Sequence, residues 1–155
     1  MTVLNVESPI SQDALCRRVL SAWDISKIGS RINRRFLQLF ANLKLNYTGS
    51  GEDVFYWRTY MDPRSYDDFR VPSSDEKTRR SMEHIPPEEI ASAIKAILTR
   101  QIGLMQADLE REVSRIFGFA RCTESMQHCI RAGLKIAIQK GWAVIDGDRV
   151  NAAGM

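Results

Sequence analysis

The sequence is poor in the residues that most often announce chemistry. Three cysteines and two histidines are spread over 155 residues, and Cys16, Cys122, Cys129, His84 and His128 form no cluster with metal-ligand spacing. An odd, sparse set of cysteines also excludes the disulfide scaffold of a small secreted domain, and all three read as small core or half-buried residues. No GxxxxGK[ST] loop is present to hold a nucleotide, and no GxSxG elbow to present a nucleophile. Gly49-Ser50-Gly51 reads as a turn, while a loop and a helix N-terminus account for the acid pairs Asp67-Asp68 and Glu88-Glu89. The chain is therefore read as non-enzymatic, with no catalytic residue, metal or cofactor assigned.

Long apolar runs are missing too. None reaches the roughly 18 residues that span a bilayer, and polar residues interrupt the opening Met1-Thr2-Val3-Leu4-Asn5-Val6-Glu7 too early for a secretory signal. A cytoplasmic protein without a membrane partner is the expectation. The balance of 22 Lys and Arg against 19 Asp and Glu leaves only +3, so net charge does not point to nucleic acid and local charge must decide.

What is present is a globular composition with helical periodicity. Residues 61–83 are turn-rich and charged, and read as a linker, although Tyr66, Phe69 and Val71 give it side chains able to dock on a neighbour. Before it, Ser11-Gln12-Asp13 offers a cap for a helix on Ala14, Leu15, Val19, Ala22 and Trp23. A second helix is predicted from about Ser26 to Leu43 on Ile28, Ile32, Phe36, Leu39, Phe40 and Leu43, and strands follow at Leu45 to Thr48 and Asp53 to Trp57. After the linker, Pro86-Pro87-Glu88-Glu89 starts a helix carrying Ile90, Ala93, Ile94, Ile97 and Leu98, with Gly103 as its expected end. Two further helices, about Gln106 to Phe117 and Thr123 to Lys140, precede a hairpin of Trp142 to Ile145 and Arg149 to Ala152.

The two parts read as copies. An offset of 94 pairs Leu15 with Leu109, Val19 with Val113, Trp23 with Phe117, Ile25 with Phe119, Phe36 with Ile130 and Phe40 with Leu134, and a two-residue shift brings Val54 to Val150. Trp23 and Phe117 are expected at equivalent core positions. Three helices and a two-stranded wing make a winged helix-turn-helix, which the second part has in full. The fold class expected is mainly α with small β-hairpins, in two winged-helix-like halves: 1–60, lacking its leading helix, and 84–155, joined by the linker 61–83. The missing helix should leave an apolar face to be covered, and the chain is expected to be the tail of a longer polypeptide.

In a helix-turn-helix, the second helix of the pair enters the major groove, where Arg pairs with guanine and Gln with adenine. The helix predicted at 26–43 contains no acid and carries Lys27, Arg31, Arg34, Arg35 and Gln38 in one sector. These five are the candidate nucleic-acid-binding residues. A solvated helix face is also commonly basic, and the equivalent positions Arg121, Ser125, His128, Cys129 and Ala132 are almost uncharged, so the second half reads as a packing or protein-binding module.

Several runs carry a family likeness. Pro9-Ile10, Leu15-Cys16-Arg17-Arg18-Val19, Ala22-Trp23, Ser30-Arg31-Ile32, Ile85-Pro86-Pro87-Glu88-Glu89-Ile90-Ala91 and Phe117-Gly118-Phe119-Ala120-Arg121 together resemble a domain of unknown function. That domain ends very large bacterial proteins with superfamily I helicase motors, some of which also carry an endonuclease-like domain. Asp24 departs from the pattern, which more often has glycine after the tryptophan. The resemblance implies a non-catalytic accessory to a DNA-processing ATPase, with DNA and the motor domains as partners. The alternative is an interaction or oligomerisation module, docking on the motor or on a second copy of itself without DNA affinity.

Overall fold

The chain divides into two units, Met1–Pro63 and Arg64–Met155, in a computed structural model that describes residues 2–27 and 29–154. About half of it is helical, with six α-helices and two small antiparallel three-stranded sheets among the described residues. None of these helices is long and apolar enough to cross a membrane.

The first unit runs α1 (Thr2–Glu7), β1 (Ile10–Ser11), α2 (Gln12–Ser21), α3 (Ser30–Asn42), β2 (Asn46–Thr48) and β3 (Phe55–Trp57). The leading helix expected to be missing is therefore present, though only six residues long. Isolated helices shorter than about 12–15 residues are marginal in water, so six residues show no readable period and the neighbours must hold them. Leu4 is buried with Ile10, Leu15, Cys16, Phe40 and Tyr56. Arg58 Nε donates to the Leu4 carbonyl at 3.1 Å, and Glu7 pairs with Arg18 at 3.0 Å. Ser11 caps α2 through its hydroxyl, which accepts from the Ala14 amide at 3.2 Å.

The second unit repeats this order with larger parts: α4 (Pro87–Gln101), β4 (Gly103–Met105), α5 (Gln106–Ile116), α6 (Glu124–Gln139), β5 (Ala143–Asp146) and β6 (Arg149–Ala152). Gly103 does not end α4. Ile102 does so, at φ 62, while Gly103 opens β4 where a Cβ would sit 2.1 Å from Asn151 Oδ1. The core is a cluster of sixteen buried residues, against six in the first unit, because α4 buries Ile90, Ala93, Ile94, Ile97 and Leu98 against α6 and α5.

The residues expected to form a linker bind to this core from 64 onwards. Phe69 meets the Phe117 ring edge-on at 6.3 Å, Lys140 donates to the Tyr66 carbonyl at 2.5 Å, and Arg70 and Arg80 both pair with the fully buried Glu89. Burial, with the Glu89 charge adding, pushes the Tyr66 hydroxyl up to about 12. Pro72 and Arg79 pack over Gly118.

Both sheets place the last strand between the other two, β1-β3-β2 and β4-β6-β5. Ile10 pairs with Tyr56 and Leu104 with Val150, so the offset of 94 holds on both strands. The Gln12 amide donates to the Val54 carbonyl, and the Gln106 amide to that of Asp148, each at 2.8 Å. Tyr56, and not Val54, is thus the partner of Val150 under this offset. The shift falls in the preceding strand, where Tyr47 faces Tyr56 as Ile145 faces Val150. The first hairpin loop is longer and the first helix of the compared pair, α3, is shorter than α6, so the two changes cancel.

Candidate nucleic-acid interface

The turn between α2 and α3 sets the direction of the second helix. The Asp24 amide donates to the Ser21 carbonyl at 3.2 Å and the Ile25 amide to that of Leu20 at 3.1 Å. Their counterparts at the same offset are Gly118 to Arg115 and Phe119 to Ser114. Asp24 adopts φ 57 and Gly118 φ 87, the left-handed region in which glycine is free and Asp is tolerated better than most residues. The departure from glycine noted at Asp24 therefore keeps the turn.

α3 begins at Ser30, four residues later than predicted, after Gly29 at the cap position. Lys27 lies in the non-helical stretch before it, and Ile28 lies outside the described residues. Phe40 is buried and stacks at 5.0 Å from Tyr56 and 5.7 Å from Phe36, which fixes the inward side. At about 100° per residue, Arg31, Arg34, Arg35 and Gln38 fall roughly opposite Phe36 and Phe40. All four are exposed, as is Lys27. Among the described residues none of Lys27, Arg31, Arg34 and Arg35 has an ion pair, whereas Arg17, Arg18, Arg70, Arg80, Arg111, Arg115 and Arg131 all do. The first turn of α3 carries no acid. The structure thus brings Arg31, Arg34, Arg35 and Gln38 onto one face, with Lys27 on the approach to it.

Leu39 and Leu43, expected on the core side, are 55% and 49% exposed. On the helical wheel Leu39 flanks one edge of the basic face and Leu37 the other, while Leu43, at the C-cap, lies on the Phe36 side. Trp23, expected in the core, is 75% exposed, whereas Phe117 is 1% exposed. The reason is the cover: Phe69 closes over Phe117, whereas among the described residues nothing covers Trp23 in this way.

The matching face of α6 is different. Arg121, Ser125 and His128 are exposed, Cys129 and Ala132 are half-buried, and Arg131 is bound to the buried Glu110 at 2.8 Å. Lys135 is exposed, while Lys140 lies over the Trp142 ring at 4.6 Å. Sequence reasoning confined to this one helix missed that Arg111 and Arg115 on α5 gather with Arg121, which it had placed only as the counterpart of Lys27. The four-residue spacing of the first two was the available signal. It also missed Glu89 and Glu110, because burial of a carboxylate depends on arginines distant in sequence. Of the thiols, Cys16 is pushed up to about 11 by burial and by the Asp13 charge, so it stays protonated and unreactive near neutrality.

Residues 1–34 match the family described as "Protein of unknown function (DUF3320)". The match covers α1, α2 and the start of α3, including the Pro9-Ile10, Arg17-Arg18-Val19, Ala22-Trp23 and Ser30-Arg31-Ile32 runs. No curated protein and no solved structure matches the chain.

Proposed function

We propose that the chain is a non-catalytic accessory module of a DNA helicase, contacting duplex or junction DNA through Lys27, Arg31, Arg34, Arg35 and Gln38. In this reading each unit is a winged helix, α3 and α6 are the second helices of the two helix-turn-helix pairs, and the units are repeats of one frame. The shared element order, sheet order and offset of 94 support the repeat. The likeness to a domain at the end of bacterial helicase-like proteins supports the motor as partner.

The observation that carries the DNA reading is the outward face of α3: three arginines and a glutamine, exposed, unpaired and without an acid, on the helix that a helix-turn-helix offers to the major groove. Four cations neutralise about three or four phosphates, and each contact contributes roughly 0.9 to the slope of log K against log salt. A titration of a fluorescently labelled duplex at several salt concentrations tests this. Affinity should fall steeply with salt and vanish at moderate salt in the Arg31→Glu, Arg34→Glu, Arg35→Glu variant. Absence of salt-dependent binding at low ionic strength refutes it.

A second reading has its own observation. Exposed Trp23, Leu37, Leu39 and Leu43 suit a protein partner better than a phosphate backbone. An interaction module of this kind binds the motor domains or a second copy of itself, and light scattering with and without the motor separates it from a DNA module.

A further inference from the structure

The second unit carries a groove of about 430 Å³ along α5 and the turn that follows it. Ala107, Arg111 and Arg115 recur at four-residue spacing, which puts them on one stripe of α5. Arg121 and Cys122 come from the turn, and Gln127 from the first helical turns of α6. Phe119 and Ala120 complete the lining, which contains three arginines and no acid. Arg121 has no ion pair among the described residues. Arg111 and Arg115 hold Asp108 and Glu112, neighbours on the same exposed helix surface. Exposed pairs of this kind contribute little and are readily exchanged for a stronger anion.

The geometry points to a binding site for the phosphate of a nucleotide, with the guanidinium groups of Arg111, Arg115 and Arg121 as its anion partners. Planar guanidinium forks bond phosphate oxygens in pairs. Ala107, Ala120 and Phe119, whose ring already carries the Arg79 guanidinium at 5.7 Å, supply the apolar surface for a base, and the Gln127 amide supplies a polar partner for its edge. The volume lies at the lower end of the range for small-molecule sites, enough for one nucleotide and too little for a duplex. The site shares no residue with the basic face of α3 and does not rest on DNA binding there. The ligand is a free mononucleotide or one nucleotide of a single strand, and the chemistry recognised is the same.

The full chain carrying Arg31→Glu, Arg34→Glu and Arg35→Glu keeps the α3 face silent during the test. AMP and a labelled thymidine hexanucleotide serve as probes, with adenosine as the phosphate-free control. Two readouts are taken: affinity, and the rate of iodoacetamide alkylation at Cys122 measured by peptide mass mapping against Cys129. We expect either probe to slow Cys122 alkylation several-fold at saturation, with Cys129 unchanged. Arg121→Glu and Arg115→Glu should each weaken binding about tenfold or more, as the loss of one charge-assisted bond does. Preference for AMP identifies a free nucleotide as the source, and preference for the hexanucleotide a strand; both outcomes support the site. Adenosine binding as tightly as AMP, unchanged affinity in the arginine variants, or undiminished alkylation of Cys122 overturns it. All the substituted side chains are exposed, and circular dichroism matching the parent chain shows that the fold is kept.

Discussion

The two units share a frame and differ in what precedes it. In the second, a fifteen-residue helix and the segment from Arg64 to Ile85 cover the back of the helix pair; in the first, a six-residue helix stands in that place. The contrast is sharpest at matched positions. Gly133 lets α4 approach α6 so closely that a Cβ there would lie 2.3 Å from Ile90 Cγ2, whereas its counterpart Leu39 meets no such helix and is exposed. Phe117 is covered by Phe69, and its counterpart Trp23 is bare. The same order of elements and strands therefore presents a dry, anchored surface in one unit and an open, mixed basic and apolar surface in the other. The leading element decides which.

Removing the anchor should have the largest effect. Glu89 is fully buried between the partly exposed Arg70 and Arg80, and truncating it removes two charge-assisted hydrogen bonds, each worth about 1.5–3 kcal/mol. Glu89→Ala should lower the urea midpoint of the second unit accordingly, and no residue of the first unit should produce a comparable loss through charge alone. Phe117→Ala should cost about 3–5 kcal/mol, while Trp23→Ala should change stability by no more than about 0.5. Equal losses at the two positions would mean that Trp23 is covered after all. Gly133→Ala should cost about 1–3 kcal/mol through overpacking against Ile90. Leu39→Ala, its counterpart, should again stay within about 0.5 kcal/mol. Thermal and urea unfolding of the five variants measure all of these.

Much of the frame is visible in the sequence because it rests on local signals. Ser11 and Thr123 act as caps, Pro87 opens α4, and Leu109 and Val113 on α5, like Ile130 and Leu134 on α6, recur at helical spacing on the buried side. The offset of 94 also follows from apolar register alone. What escapes depends on partners far along the chain. The stripe Phe36, Leu39, Phe40 and Leu43 reads as a single buried face, yet only a helix as long as α4 would bury its edge, and α1 is too short to do so. Trp23 fails for the same reason, since hydrophobicity says nothing about whether a cover exists. Ile102 at φ 62 escapes because Gly103 beside it is the residue normally expected there. At the candidate site, the exposed arginines of α3 were legible from their spacing and from the lack of acids. The grouping of Arg111, Arg115 and Arg121 was not, because it spans a helix and the following turn.

A paired titration decides whether DNA binding runs through α3 and not through α6. Lys140 is an unsuitable control because it is bonded to the Tyr66 carbonyl, so Lys135→Glu represents the second unit. Labelled duplex DNA is titrated with wild type, with the Arg31→Glu, Arg34→Glu, Arg35→Glu variant and with Lys135→Glu, across a series of salt concentrations. If α3 alone carries the contact, wild type binds in a salt-dependent way, Lys135→Glu gives an unchanged curve, and the triple variant shows no binding at moderate salt. Equal losses in both variants, or a wild type indifferent to salt, would contradict it.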